Sequence, residues 1–126
     1  MAGERILIVD DSAINLKLIK YVLVDVGFDV DTAADAPQAL AALRARRPRL
    51  ILMDVQLPGM SGLELTRQLK ADPETRDLII VAVTASAMRG DEEKARDAGC
   101  DGYLSKPIDT EALPRVVAGY LSGAHG

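Results

Sequence analysis

Aromatic side chains are scarce in this chain of 126 residues: three tyrosines, one phenylalanine and no tryptophan. With so few rings, no basic run and a net charge of −4, it offers neither a stacking platform nor a cationic stripe to RNA or DNA. Cysteine occurs once, at Cys100. That excludes an internal disulfide and zinc-finger spacing, and makes the reducing cytoplasm the natural setting. No apolar run approaches the ~20 residues that cross a bilayer, and the opening MAGER is no signal peptide, so membrane insertion is not expected. Linkers, internal repeats and low-complexity tracts are missing too. The expectation is one domain over 1–126, with a core from about 5 to 121, a short tail at 122–126 and no output domain.

Hydrophobic residues are plentiful, at 48%. Three short runs, Ile6–Val9, Leu50–Met53 and Ile79–Val83, are apolar throughout and do not alternate. A strand of that kind is covered on both faces, as in a parallel sheet. Two weaker segments, Asp29–Thr32 and Gly102–Ser105, suit its edges. Between them lie helical patterns. Ile14, Leu18, Tyr21 and Val22 share one face of a first helix that Gly27 can end. Ala39, Leu40 and Leu43 mark a second over 36–46, before Pro48. Leu65 and Leu69 mark a third, entered at Ser61-Gly62. A fifth, near 109–121, carries Leu113, Val116, Val117, Tyr120 and Leu121, and Pro114 makes it start late or bend. The fourth, Met88 to Ala98, offers the core little beyond alanine, so it is expected to be the most loosely held. Strand and helix alternating five times imply an α/β fold with a doubly wound parallel sheet.

Ligands of such sheets gather beyond the carboxyl ends of the strands. There the sequence places Asp10 and Asp11 after the first strand, Asp54 after the third, Thr84 after the fourth and Lys106 after the fifth. Each has a bland reading taken singly: Asp10 or Asp11 can cap a helix, Asp54 can satisfy loop amides, and Lys106 can be solvated. Jointly they share one rim. Two carboxylates about 4 Å apart repel by roughly 4 kcal/mol at an effective dielectric of about 20. A hard divalent cation removes that cost, and an all-oxygen set suits Mg2+. A cation, an ammonium and a hydroxyl together make a site for a phosphoryl group in transit to a carboxylate. Asp54, alone at the end of the central strand, is the best acceptor, with Asp10 and Asp11 holding the metal.

These residues resemble the receiver domain of two-component response regulators. The likeness runs from Arg5 to about Leu121, through LIVDDS, MDVQLPGMSGLEL, VTA and the lysine-proline pair of YLSKPI. Within the family, LILMDVQLPGMSGLE and VAVTASAMRGDEEKARDAGCDGYLSKPI are most similar to stand-alone bacterial receivers of the division-control, cell-cycle type. The resemblance implies a flavodoxin- or CheY-like sheet of order 2-1-3-4-5 flanked by five helices. It implies that Asp54 takes phosphate from a histidine of a sensor kinase or phosphotransfer protein. Asp11, Asp54 and the backbone carbonyl of Gln56 would bind Mg2+ (or Mn2+) directly, and Asp10 through water. Lys106, across a cis bond to Pro107, would pair with phosphoryl oxygens, joined by the Thr84 hydroxyl and the Ala85 amide. Tyr103 matches the switch aromatic, although it also reads as an ordinary edge-strand residue. Gln56 and Ser86 stand where the family tunes phosphate lifetime. A downstream protein would read the face made by helix four, strand five and helix five. Cys100 reads as packing and His125 as inert.

Three alternatives remain. The chain can serve mainly as a phosphorelay shuttle. A Mg2+-dependent phosphatase of the haloacid-dehalogenase type also uses a strand-ending Asp, but needs an acid where Gln56 stands and a cap domain that has no counterpart here. A nucleotide or flavin binder needs a glycine-rich first turn where this chain has DDSAIN.

Overall fold

The computed structural model of the chain describes residues 3–85 and 89–123. Ser86, Met88 and His125 lie outside them. Ten elements alternate: β1 Arg5–Val9, α1 Ala13–Asp25, β2 Asp29–Ala33, α2 Ala36–Ala45, β3 Leu50–Asp54, α3 Gly62–Ala71, β4 Ile79–Thr84, α4 Arg89–Ala98, β5 Gly102–Ser105 and α5 Leu113–Leu121. The five strands form one parallel sheet in the order β2-β1-β3-β4-β5, leaving the two weaker segments at the edges.

The sheet is buried on both faces, which is why the central strands do not alternate. Ile6, Ile8, Leu50, Leu52, Val81 and Val83 point to one side, against Ile19 and Leu23 of α1 and Leu113, Val117 and Leu121 of α5. Leu7, Val9, Ile51, Met53 and Ile80 point to the other, against Ala36 and Ala39 of α2 and Leu65 and Leu69 of α3. α5 begins only at Leu113, with Pro114 in its first turn, where a missing N–H leaves no helical bond unmade.

The first helix presents a different face from the expected one. Ile19 and Leu23 enter the core, while Ile14, Leu18 and Tyr21 are 79%, 49% and 71% exposed. α1 carries apolar residues on nearly its whole circumference, and the sheet takes the Ile19–Leu23 stripe. Its end follows expectation: Gly27, at φ +103°, lets its own amide reach Val24 O and the Phe28 amide reach Leu23 O.

α4 contributes Ala95 and Ala98 to the interior, so its apolar anchoring is thin, as its sequence implies. A polar fastening stands just beyond it. Lys70 Nζ donates to Arg76 O (3.1 Å), Leu78 O (2.7 Å) and Asp101 Oδ2 (2.9 Å), and the same Asp101 oxygen accepts the Ile80 amide at 2.9 Å.

Cys100 is half-buried at the end of this turn, packed against the α2–α3 side of the core. Burial pushes its thiol pKa up, and the hydrogen bond to Thr66 only partly opposes this. The expected outcome is slow reaction with an aromatic disulfide reagent at about pH 8, well below the rate of a free thiol. Denaturant should restore the ordinary rate. Equal rates in the native and unfolded chain would contradict this account.

Candidate functional site

The strand register brings the acids together. Val9 of β1 pairs with Met53 of β3, so the next residues, Asp10 and Asp54, leave neighbouring strands side by side. Asp54 is the last residue of β3 and Thr84 the last of β4, each still within its strand where the sequence pattern puts it just after. Asp10, Asp54 and Thr84 are all buried, at 3%, 4% and 5% exposure, whereas Asp11 faces solvent.

Two Asp-turns hold the buried carboxylates. Asp10 Oδ1 accepts the Ser12 amide at 2.8 Å, and Asp54 Oδ1 accepts the Gln56 amide at 3.0 Å. In both, the chain bends directly after its strand to meet its own side chain. The cap of α1 belongs to neither acid. Ser12 takes it, its hydroxyl accepting the Asn15 amide at 3.3 Å. Asp10 and Asp11 are thereby left out of the capping role that a sequence reading allows them. Ser61 caps α3 in the same way, through the Glu64 amide at 3.1 Å.

One carboxylate oxygen from each of Asp10, Asp11 and Asp54 lies within 4.8 Å of the other two. Lys106 stands over the two buried members: its ammonium is 3.0 Å from Asp54 Oδ2 and 3.3 Å from Asp10 Oδ2. The Lys106 amide donates to Thr84 O at 2.7 Å, which ties the end of β5 to the end of β4. The peptide from Lys106 to Pro107 is cis.

Burial raises the Asp54 pKa above the ordinary carboxyl value. The Gln56 amide and Lys106 oppose the shift, and the charge of Asp10 adds to it. Burial alone would lower the Lys106 ammonium, but Asp54, by hydrogen bond and by charge, and then Asp10 outweigh it, so its pKa rises. The rim therefore carries a surplus of negative charge that one lysine only partly offsets. An all-oxygen donor set of that charge fits a hard divalent cation.

All five strand-end residues singled out in the sequence meet on this rim. Two features escaped that reading. Lys106 bridges Asp10 and Asp54, and the Asn15 amide group reaches Asp10 Oδ2 at 3.5 Å. Only the spacing of DDSAIN hints at the second. Tyr103 lies on edge strand β5, half-buried. Partial burial and then the charges of Asp91 and Glu92, in the first turn of α4, raise its phenol pKa. Gln56 and Ala85 are exposed beside the rim.

Comparison with known proteins agrees with this arrangement. The response regulator receiver domain family matches residues 6–118. The polar-differentiation response regulator DivK of Brucella anthropi is 43% identical over 121 residues, covering 96% of this chain and 98% of DivK. A CheY-like receiver domain protein from Methanospirillum hungatei superposes with a TM-score of 0.88 at 30% identity, over 97% of this chain and 96% of that one. The receiver domain of a sensor histidine kinase from Pseudomonas aeruginosa, solved with a magnesium ion coordinated in its active-site cleft, gives 0.86 at 36% identity, over 96% and 99%. Sequence, sheet order and the acidic rim lead to one assignment: the chain belongs to the response regulator receiver domain family.

Proposed function

We propose that Asp54 accepts a phosphoryl group from a phosphohistidine of a sensor kinase or phosphotransfer protein, and that the modified chain signals through the face formed by α4, β5 and α5. The observation that carries this reading is the setting of Asp54: a buried carboxylate ending the central strand, between two further acids and an ammonium. Asp11, Asp54 and the Gln56 carbonyl would hold Mg2+, or Mn2+, directly, and Asp10 through water. An ion held there would offset the crowded negative charge of the acids and phosphoryl oxygens.

The remaining work falls to side chains and backbone amides. The Gln56 amide and Lys106 hold the Asp54 carboxyl in place, one on each oxygen. An Asp54 oxygen forms the new P–O bond while the P–N bond to the donor imidazole breaks, its electron pair leaving with the ring. Lys106 then turns from carboxylate to phosphoryl oxygens, and the Thr84 hydroxyl and Ala85 amide bind them from the β4 side. Movement of Thr84 makes room for Tyr103, which changes the surface around α4. A hollow of ≈ 240 Å³ lined by Glu92, Arg96, Asp101, Tyr103 and Tyr120 lies on that face and suits a downstream protein. On the other flank, a mainly apolar cleft of ≈ 320 Å³ between α1 and residues 106–110 adjoins Lys106 and gives the donor its approach. No helix among the described residues is long and apolar enough to cross a membrane.

Incubation with acetyl phosphate and Mg2+ tests the reading. The expected product is a labile phosphoryl adduct seen by intact mass, absent without the metal and absent in Asp54→Ala. An adduct that persists in Asp54→Ala would place the acceptor elsewhere. Steady turnover of phosphomonoesters would indicate a phosphatase instead.

A further inference from the structure

Among the described residues, two donors approach the Oδ2 atom of Asp10: the Lys106 ammonium at 3.3 Å and the Asn15 side-chain amide at 3.5 Å. Lys106 is shared with Asp54, and in the function proposed above it follows the charge to the phosphoryl oxygens. Asn15 is half-buried on α1, in the wall of the cleft beside Lys106. The first turn of the helix fixes it there. Asp10 Oδ1 accepts the Ser12 amide, the Ser12 hydroxyl accepts the Asn15 backbone amide, and the Asn15 side chain returns to Asp10 Oδ2. Three bonds thus close a ring. A Glu or Gln at this third helical position ordinarily turns back to the amide of the cap residue. Here Asp10 already holds that amide, and Asn15 turns to the carboxylate itself. An acid in its place would add a fourth negative charge to the rim; the carboxamide brings a donor without one.

Phosphoryl transfer changes what is asked of these donors. Once Asp54 carries the phosphoryl group and Lys106 has turned to its oxygens, Asp10 is still a buried carboxylate and has lost its ammonium. A buried acceptor left without a donor is costly, because nothing replaces the water it gave up. Asn15 can supply that donor. Its 3.5 Å contact is looser than the ~2.9 Å of a full N–H···O bond, and has room to tighten as Lys106 departs. We infer that Asn15 is a positioning residue for phosphoryl transfer, holding Asp10 in place when Lys106 moves from the acids to the phosphoryl group. Its effect on rate rests on Asp54 as the acceptor; its pairing with Asp10 does not.

Two measurements test it. In metal-free buffer, urea denaturation of the unmodified chain, Asn15→Leu, Lys106→Met and the double variant closes a cycle in which packing changes at either single site cancel. With Lys106 in place, Asp10 Oδ2 keeps a donor when Asn15 is lost; in Lys106→Met, Asn15 is the donor that remains. Asn15→Leu is therefore expected to raise the unfolding constant at least about tenfold more in Lys106→Met than in the unmodified chain. Additive effects overturn the inference. The second measurement follows labelling by acetyl phosphate at saturating Mg2+, by intact mass. Asn15→Leu is expected to slow labelling at least about tenfold, with the Mg2+ dissociation constant within about twofold of the parent because Lys106 still holds Asp10 before transfer. Asn15→Gln, whose longer side chain restores the amide donor, is expected to recover most of the rate. Labelling of Asn15→Leu at the parental rate overturns the inference. So does an Asn15→Gln no faster than Asn15→Leu, or a loss of rate matched by a loss of metal affinity. A chain that takes no label at all would count against Asp54 as acceptor, and the denaturation cycle would still decide whether Asn15 holds Asp10.

Discussion

Gly62→Ala is expected to destabilise the chain by about 3 kcal/mol or more, and to weaken metal binding at the acidic rim along with it. Gly62 opens α3 and is buried beneath the end of β3. A Cβ added there would stand 1.9 Å from the Asp54 carbonyl oxygen, 2.9 Å from its carbonyl carbon and 3.0 Å from Met53 Cγ. The first two are backbone atoms of a central strand and have no rotamer to retreat into. Helix propensity acts the other way, favouring alanine by roughly 0.5–1 kcal/mol, and is outweighed. Relief requires either α3 to lift from the sheet or the end of β3 to shift. The second route displaces the residue that carries the Asp54 carboxyl and breaks the bond from the Gly62 amide to Val55 O. Urea denaturation with a parallel Mg2+ titration measures both effects. A variant as stable as the parent, with unchanged metal affinity, would mean the helix and strand do not approach so closely.

Lys106→Met and Asp54→Asn should move stability in opposite directions when metal is removed by chelation. Lys106 is the cation paired with both buried acids. Its loss leaves Asp10 and Asp54 facing each other without an opposite charge. Breaking a fully buried pair costs about 3–5 kcal/mol; Lys106 keeps about a quarter of its side chain in solvent, so about 1–3 kcal/mol is expected. Asp54 has the reverse sign. Its carboxyl binds a proton more tightly in the folded chain than in the unfolded one, chiefly because it is buried. Its contribution therefore favours folding below the unfolded value of about 3.8 and is lost as pH rises through the raised folded value. Asp54→Asn carries no charge at any pH, so near neutrality it is expected to melt a few degrees higher than the parent. That gain should vanish at about pH 3, where both side chains are neutral. Saturating Mg2+ should raise the melting temperature of Lys106→Met more than that of the parent, because the ion would then be the only cation between the acids. If Lys106→Met proved as stable as the parent without metal, the acids would not be repelling each other.

The fold was largely legible because the three central strands are covered on both faces, and only an unbroken apolar run satisfies that. The strand-end residues were legible for a related reason: polar groups directly after such a run must lie at the sheet edge. α1 was misread for a physical cause. With Ile14, Leu16, Leu18, Ile19, Tyr21, Val22, Leu23 and Val24 in one helix, two apolar stripes compete, and periodicity alone cannot say which the sheet takes. The close approach of Gly62 to Asp54 was hidden because it depends on how a helix seats on a strand. The double pairing of Lys106 was hidden as well, because local sequence does not report where the end of a long side chain comes to rest. Tyr103 and Gln56 became candidates through family resemblance, and no local signal distinguished them.

The fastening of Lys70 to Asp101 sets how α4 can be displaced. Asp101 is bound at once to α3, through Lys70, and to β4, through the Ile80 amide. The junction from Gly99 to Asp101 is therefore a fulcrum, and α4, whose buried residues among those described are Ala95 and Ala98 near that end, is the lever arm. Ten residues make an arm of about 15 Å, so a tilt of about 10° at the fulcrum carries the backbone of Arg89 through about 2.5 Å. An event of ångström scale beside Asp54 can be read as a larger one at the far tip of the helix, while its root hardly stirs.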